Sequence, residues 1–221
     1  MNMTTFDFGN GSVPAHKHPN GGGWVADTAT VADTAYVGPD AKVFDNARVY
    51  GNAHIYGDAW VSGDAQVYGN ARVYGKAQVS GNAEVFGNAW VSGKAQVFGD
   101  GDARVYGYAW VYGKAQVSGN AEVFGNAWVS GKAQVSGDGD ARVYGYAWVS
   151  GNAQVYDNAQ VYDNAEVFGN ADVFGNADVF GNACVSGKAQ VSGNAQVYGE
   201  VEEDMFIEMN GKRYKLVEVE D

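Results

Sequence analysis

His16, His18 and His54 are the only histidines of the 221 residues, and Cys184 is the only cysteine, so any general base, nucleophile or transition-metal site must start from these four. A base needs a partner that fixes its tautomer and a pocket that holds substrate. Nothing around His54 resembles an insertion long enough to wall a pocket, and an outward surface position is expected for it. His16-Lys17-His18 offers two imidazoles without the further ligands that zinc requires. Asp100, Asp102, Asp138 and Asp140, in two Gly-Asp-Gly-Asp runs, are hard oxygen donors of the kind calcium takes. Each run alone is short of ligands, and on the architecture derived below the two lie about 10 Å apart, so solvated acidic corners are expected. A lone Cys184 excludes an intrachain disulfide framework and thiolate-rich metal sites. No catalytic residues, no metal site and no cofactor follow from these groups.

Aromatic side chains recur where catalytic ones do not. Trp90, Trp110, Trp128 and Trp148 occupy equivalent positions, and Lys94, Lys114 and Lys132 each follow a Trp by four residues. Stripes of aromatic and cationic side chains suit a protein partner, a second copy of the chain or a flat sugar. Four aligned Trp would expose more apolar area than the few hundred Å² usual for the largest patch of a monomer.

The element that positions them is a hexad, such as Ala47-Arg48-Val49-Tyr50-Gly51-Asn52, repeated about 29 times between Gly23 and Glu200. Alternation puts Ala and Val on one side of a short strand and Arg and Tyr on the other. Read as hairpins around Gly-Asn turns, the hexads would make a flat meander with a bare Ala/Val face, which is not stable alone. Wound as a three-sided coil of about 18 residues, they bury that face and stack residues three hexads apart at about 4.8 Å.

Those residues match. One face aligns Tyr50, Tyr68, Phe86, Tyr106, Phe124, Tyr144, Tyr162, Phe180 and Tyr198 as a ladder, beside the alternating charges Glu84, Arg104, Glu122 and Arg142. A second aligns Gln78, Gln96, Gln116, Gln134 and Gln154, whose amides can bond along the axis. The third carries the four Trp. Segments Ala65–Asp102 and Ala103–Asp140 are near-duplicates offset by six hexads plus two residues, and the extra pair falls at the same corner each time.

The Ala-x-Val hexads over residues 23–200 resemble the hexapeptide-repeat family. The resemblance implies an all-β fold, a left-handed parallel β-helix of triangular section with about ten coils, on the order of 45–50 Å long. Its handedness comes from the resemblance alone, since the general crossover rule favours the right hand. Many family members are trimeric acyltransferases with a histidine beside a projecting loop, and a related branch binds zinc through three histidines as a carbonic anhydrase. This chain carries neither the loop nor the spacing, so a non-enzymatic member is expected.

Residues 1–22 are Gly- and Pro-rich and read as a loop cap over the first coil, residues 23–200 as the β-helix, and residues 201–221 as a β-hairpin cap turning at Asn210-Gly211. The stretch Met209 to Val217 resembles short modules of phage-encoded small proteins, which implies a phage or mobile-element source. A net charge of −12 argues against direct nucleic-acid binding, which needs a basic face, and leaves nucleic-acid mimicry by a phage-encoded anti-defence inhibitor as an alternative function. Met1 to Phe8 shows no basic-then-apolar leader, and no run approaches the roughly 20 apolar residues of a membrane span. A cytoplasmic protein (host cytoplasm if phage-encoded) or a virion component is expected. The leading expectation is a rigid scaffold acting through self-association, a homotrimer included, or through a protein partner on its Trp/Lys face. Glycan binding along the Trp stripe is a further alternative.

Overall fold

A computed structural model describes residues 4–99 and 101–201 and, as backbone, residues 206–209 and 212–215. From Trp24 the chain is a parallel β-solenoid in which each hexad gives one short strand and one corner. Strands three hexads apart pair in parallel: Arg48 sits beside Gln66, Gln66 beside Glu84, and Glu84 beside Arg104. Three sheets result, two of ten strands and one of twelve.

Inward Ala and Val make the core. From Ala35 to Val179 every inward side chain has 0% exposure, and Ile55 is the largest of them. Alternating a small with a β-branched residue fills a narrow channel without forcing rotamers. Ladder bonds run from each coil to the next, for example from the N–H of Phe86 to the carbonyl of Val105 at 3.0 Å.

The corners explain the Gly-Asn rule. Gly87 and Gly107 have φ of 71° and 74°, and a Cβ on Gly87 would lie 3.1 Å from the Gly107 nitrogen, so both handedness and space select glycine. The next residue donates its N–H across the coil, as Asn88 does to the Gly107 carbonyl at 2.7 Å. Its side chain forms a second ladder, as Asn70 Nδ2 does in donating to Asn88 Oδ1 at 3.2 Å. Asp45, Asp157 and Asp163 adopt the same positive φ. Each accepts, at Oδ2, the N–H of a glycine one coil on: Gly63, Gly175 and Gly181 respectively.

The two-residue insertions sit at one corner, two coils apart, and leave the strands in register: Gln96 still pairs with Gln116, and Arg104 with Glu122. Asn120 on the coil between them bonds both, taking the N–H of Asp102 at 3.3 Å and donating to the Asp138 carbonyl at 2.9 Å. Asp102 and Asp140 are 3.6 and 3.8 Å from Arg104 and Arg142, so they face cations of their own chain. Asp100 lies outside the described residues.

The ends depart from the sequence reading. The described part of the expected loop cap, residues 4–22, is not a simple loop: β1 (Thr5–Asp7) and β2 (Ser12–Lys17) form an antiparallel hairpin, and β2 pairs antiparallel with β3 (Trp24–Ala26). The Asp7 carboxylate ties the turn by accepting the N–H groups of Gly9 and Gly11 at 2.7 and 3.1 Å. The hairpin thus supplies the two strands at one edge of the twelve-stranded sheet, and its aromatic side chains cover the outward face there, Phe6 stacked on Trp24 and Phe8 on Phe44. At the other end Glu200–Val201 is a further solenoid strand beside Cys184–Val185, so the coil runs one residue past the expected boundary. Strands Phe206–Met209 and Lys212–Lys215 pair antiparallel, as expected around Asn210-Gly211, although that turn itself lies outside the described residues.

Candidate functional site

Outward residues of one ten-stranded sheet follow in register as Arg72, Trp90, Trp110, Trp128, Trp148 and Glu166. Trp90 stacks on Trp110 with centroids 4.5 Å apart, and Trp110 on Trp128 at 5.4 Å. The Arg72 guanidinium closes the N-terminal end of this stack, 4.8 Å from the Trp90 centroid. Tyr74 and Tyr112 pack edge-on against Trp90 and Trp128 and fix their tilt. Trp148 stands apart from the stack, its indole N–H donating to Ser130 Oγ at 3.1 Å.

Two tyrosines that the sequence reading passed over complete the site. Tyr108 and Tyr146 replace Asn at the corner before Trp110 and Trp148, and they are 60% and 69% exposed. With Trp128 and Trp148, 43% and 42% exposed, they wall an open groove of about 490 Å³ whose polar lining is Asn126 and Glu166. The signal was present in the sequence, since Gly107-Tyr108 and Gly145-Tyr146 break the Gly-Asn corner rule at matching places.

Lys94, Lys114 and Lys132 stand on the opposite corner. Four residues beyond a Trp the chain has left the strand on its far side, so none of the three lines the groove. Among the described residues the cations that do sit over Trp rings are Arg72 on Trp90, Lys17 on Trp24 and Lys42 on Trp60.

The Tyr/Phe column on the neighbouring sheet is a self-stacked ladder. Tyr50, Tyr68, Phe86, Tyr106, Phe124, Tyr144 and Tyr162 follow at 4.8–5.0 Å with their planes nearly parallel, and Phe180 continues it at 5.3 Å. Tyr198 ends it tilted at 6.2 Å and 73% exposed. Such spacing equals the distance between strands, so each ring covers the next and the column stabilises neighbouring coils. Beside it Arg104 bridges Glu84 and Glu122 at 3.8 and 3.6 Å, and Arg142 meets Glu122 at 3.4 Å. On the third face the expected amide ladder forms from Gln78 through Gln96 to Gln116, at 3.1 and 3.3 Å.

Burial in the ladder, then the Glu84 carboxylate to which its hydroxyl donates, pushes the Tyr68 phenol up to about 12. Burial also raises Tyr106 and Tyr144. A phenol held protonated in the fold contributes stability that is complete below the ordinary value of about 10 and is lost as pH rises through the folded value. The protein is therefore expected to lose stability between about pH 10 and pH 12. Alkaline absorbance titration should show the ladder tyrosinates, Tyr68 among them, forming well above the ordinary phenol value; complete ionisation of the ladder near pH 10 would contradict this.

The histidines are scattered. His16 Nδ1 is 2.8 Å from Asp27 on the exposed hairpin. His18 is buried, its Nδ1 beside the backbone of Asn20. His54 packs against Tyr36 in the Trp-bearing sheet, near the N-terminal end of that column. Cys184 points outward between Glu166 and Glu200 and is half-buried.

Four segments, residues 41–57, 65–77, 77–93 and 115–131, match a family model described as the YdcK beta solenoid repeat. The chain is similar to these beta-solenoid repeats. Together the segments cover less than half of its length, all within the coil. No curated protein and no solved structure matches the chain.

Proposed function

We propose that the protein is a non-enzymatic rigid scaffold that pairs its Trp face with a second macromolecular surface, a protein partner or another copy of itself. The carrying observation is the gathering of Tyr108, Trp128, Tyr146 and Trp148, four of the most exposed large apolar side chains among the described residues, around one groove. Self-stacking covers the Tyr/Phe ladder, whereas Trp128, though stacked on Trp110, and Trp148, Tyr108 and Tyr146 keep large exposed faces. Exposed aromatic clusters of this kind are the usual anchors of interfaces. The separation of the three histidines, none of them in the groove, supports a role other than catalysis. Hexapeptide-repeat kinship, which goes with this reading, is supported by the Ala-x-Val hexads, and left-handed winding would follow from that kinship alone.

The test is the Trp110→Ser, Trp128→Ser double variant, compared with the parent by light scattering after size exclusion and by partner capture. Both positions are outward, so the coil is expected to persist by circular dichroism. Association should weaken by at least about tenfold, as for the loss of two aromatic anchors. A variant that assembles and binds everything as the parent does would remove the proposal. Binding to a basic host factor that collapses with salt and ignores these substitutions would favour nucleic-acid mimicry instead.

A further inference from the structure

The Trp column is closed by a cation at one end and open at the other. At the N-terminal end the Arg72 guanidinium lies over Trp90. Lys17 over Trp24 and Lys42 over Trp60 repeat the arrangement on the twelve-stranded sheet. At the C-terminal end Trp148 is followed not by a cation but by Glu166, whose carboxylate makes no ion pair or hydrogen bond among the described residues. The groove there is walled by Tyr108, Trp128, Tyr146 and Trp148 and includes no basic side chain. Aromatic faces carry negative potential, a nearby carboxylate reinforces it, and a cation withdrawn from bulk water onto such a surface is held by both.

We propose that this groove binds an arginine side chain presented by a protein partner. The guanidinium would lie against the Trp128 and Trp148 rings and meet Glu166, as Arg72 already lies on Trp90. Arginine fits better than lysine because its planar head can stack on indole while its N–H groups reach a carboxylate. The proposal rests on the scaffold reading above and names the partner chemistry of the same face.

The test uses the full chain and three capped tripeptides, Gly-Arg-Gly, Gly-Lys-Gly and Gly-citrulline-Gly, the last being the uncharged near-isostere of the first. The readout is the set of Trp indole N–H resonances, in which Trp24 and Trp60 serve as internal controls. Gly-Arg-Gly should move the Trp128 and Trp148 signals saturably and leave Trp24 and Trp60 in place. Citrulline should bind at least about tenfold more weakly, as should Gly-Arg-Gly to Glu166→Gln and to Trp148→Ala, the loss expected when charge or stacking surface is removed. Lysine should fall between arginine and citrulline.

Equal binding of arginine and citrulline would overturn the proposal by making the groove merely apolar. A glucose oligomer that moves the same indoles while arginine does not would overturn it in favour of a saccharide platform. No shift with any peptide would also overturn it. If the Trp110→Ser, Trp128→Ser variant still loses association in that case, the scaffold reading survives and only the arginine assignment fails.

Discussion

Val123→Asp is expected to destroy the central coils. Val123 is wholly buried, paired in register with Val105 and Val143, and the channel around it is lined by Ala and Val side chains with no polar group to receive a carboxylate. Burying an unpartnered charge costs several kcal/mol, a large part of what a domain of this size has to lose. Because each coil is supported only by its neighbours, the damage cannot be spread over a larger core. Val123→Ala, which removes only apolar volume, should cost roughly 1–3 kcal/mol. A carboxyl forced to stay protonated in the fold has a raised pKa, so the deficit should shrink as pH falls towards the ordinary value of about 3.9. Chemical denaturation of both variants at two pH values checks this. A Val123→Asp protein as stable as Val123→Ala at neutral pH would mean that the channel admits water.

Glycine-to-alanine changes at three corners are expected to separate backbone conformation from crowding. Gly181, Gly107 and Gly119 share nearly the same φ, at 68°, 74° and 67°. A Cβ on Gly181 would meet nothing within 4 Å, whereas one on Gly107 would lie 3.1 Å from the Gly125 nitrogen. On Gly119 it would overlap the carbonyl oxygen of Gly137, at the corner where the second insertion passes. Gly181→Ala should therefore cost only the left-handed conformation, about 1–2 kcal/mol. Gly107→Ala should cost somewhat more, and Gly119→Ala on the order of 3–5 kcal/mol because backbone has to move. The order of the three denaturation midpoints is the measurement. Equal losses would show that the coils slide apart freely enough to make room.

Most of the coil was legible because in a solenoid the long-range contacts are written at a fixed offset. Arg104 sits between Glu84 and Glu122 three hexads either side, and the Tyr50 to Phe180 ladder forms where the offset puts it. Even the Gly-Asp-Gly-Asp insertions read correctly, since an extra pair at a corner leaves the strands on either side in place. The N-terminal hairpin was hidden because it has no periodic apolar face of its own. Phe6 and Phe8 pack on Trp24 and Phe44 of the coil, and Pro14 and the Gly9-Asn10-Gly11 turn look like loop when read alone. The groove was missed for the opposite reason from the hairpin: Tyr108 and Tyr146 are departures from a repeat whose regularity drew attention to what matched. Counting four residues past each Trp places Lys94, Lys114 and Lys132 at the corner that follows each Trp strand, whereas the groove opens at the corner that precedes it.

The groove is framed by two copies of one motif, Gly107-Tyr108-Ala109-Trp110 and Gly145-Tyr146-Ala147-Trp148, with Asn126 and Trp128 on the coil between them. Neither copy makes the groove alone. A single unequal recombination that inserted one more such block would lengthen the rod by about two coil spacings and add a second groove beside the first. Valency would then be set by gene length: two tethered sites on a rigid rod gain by effective concentration what neither gains by contact, and partners carrying one basic tail or several would be told apart by avidity.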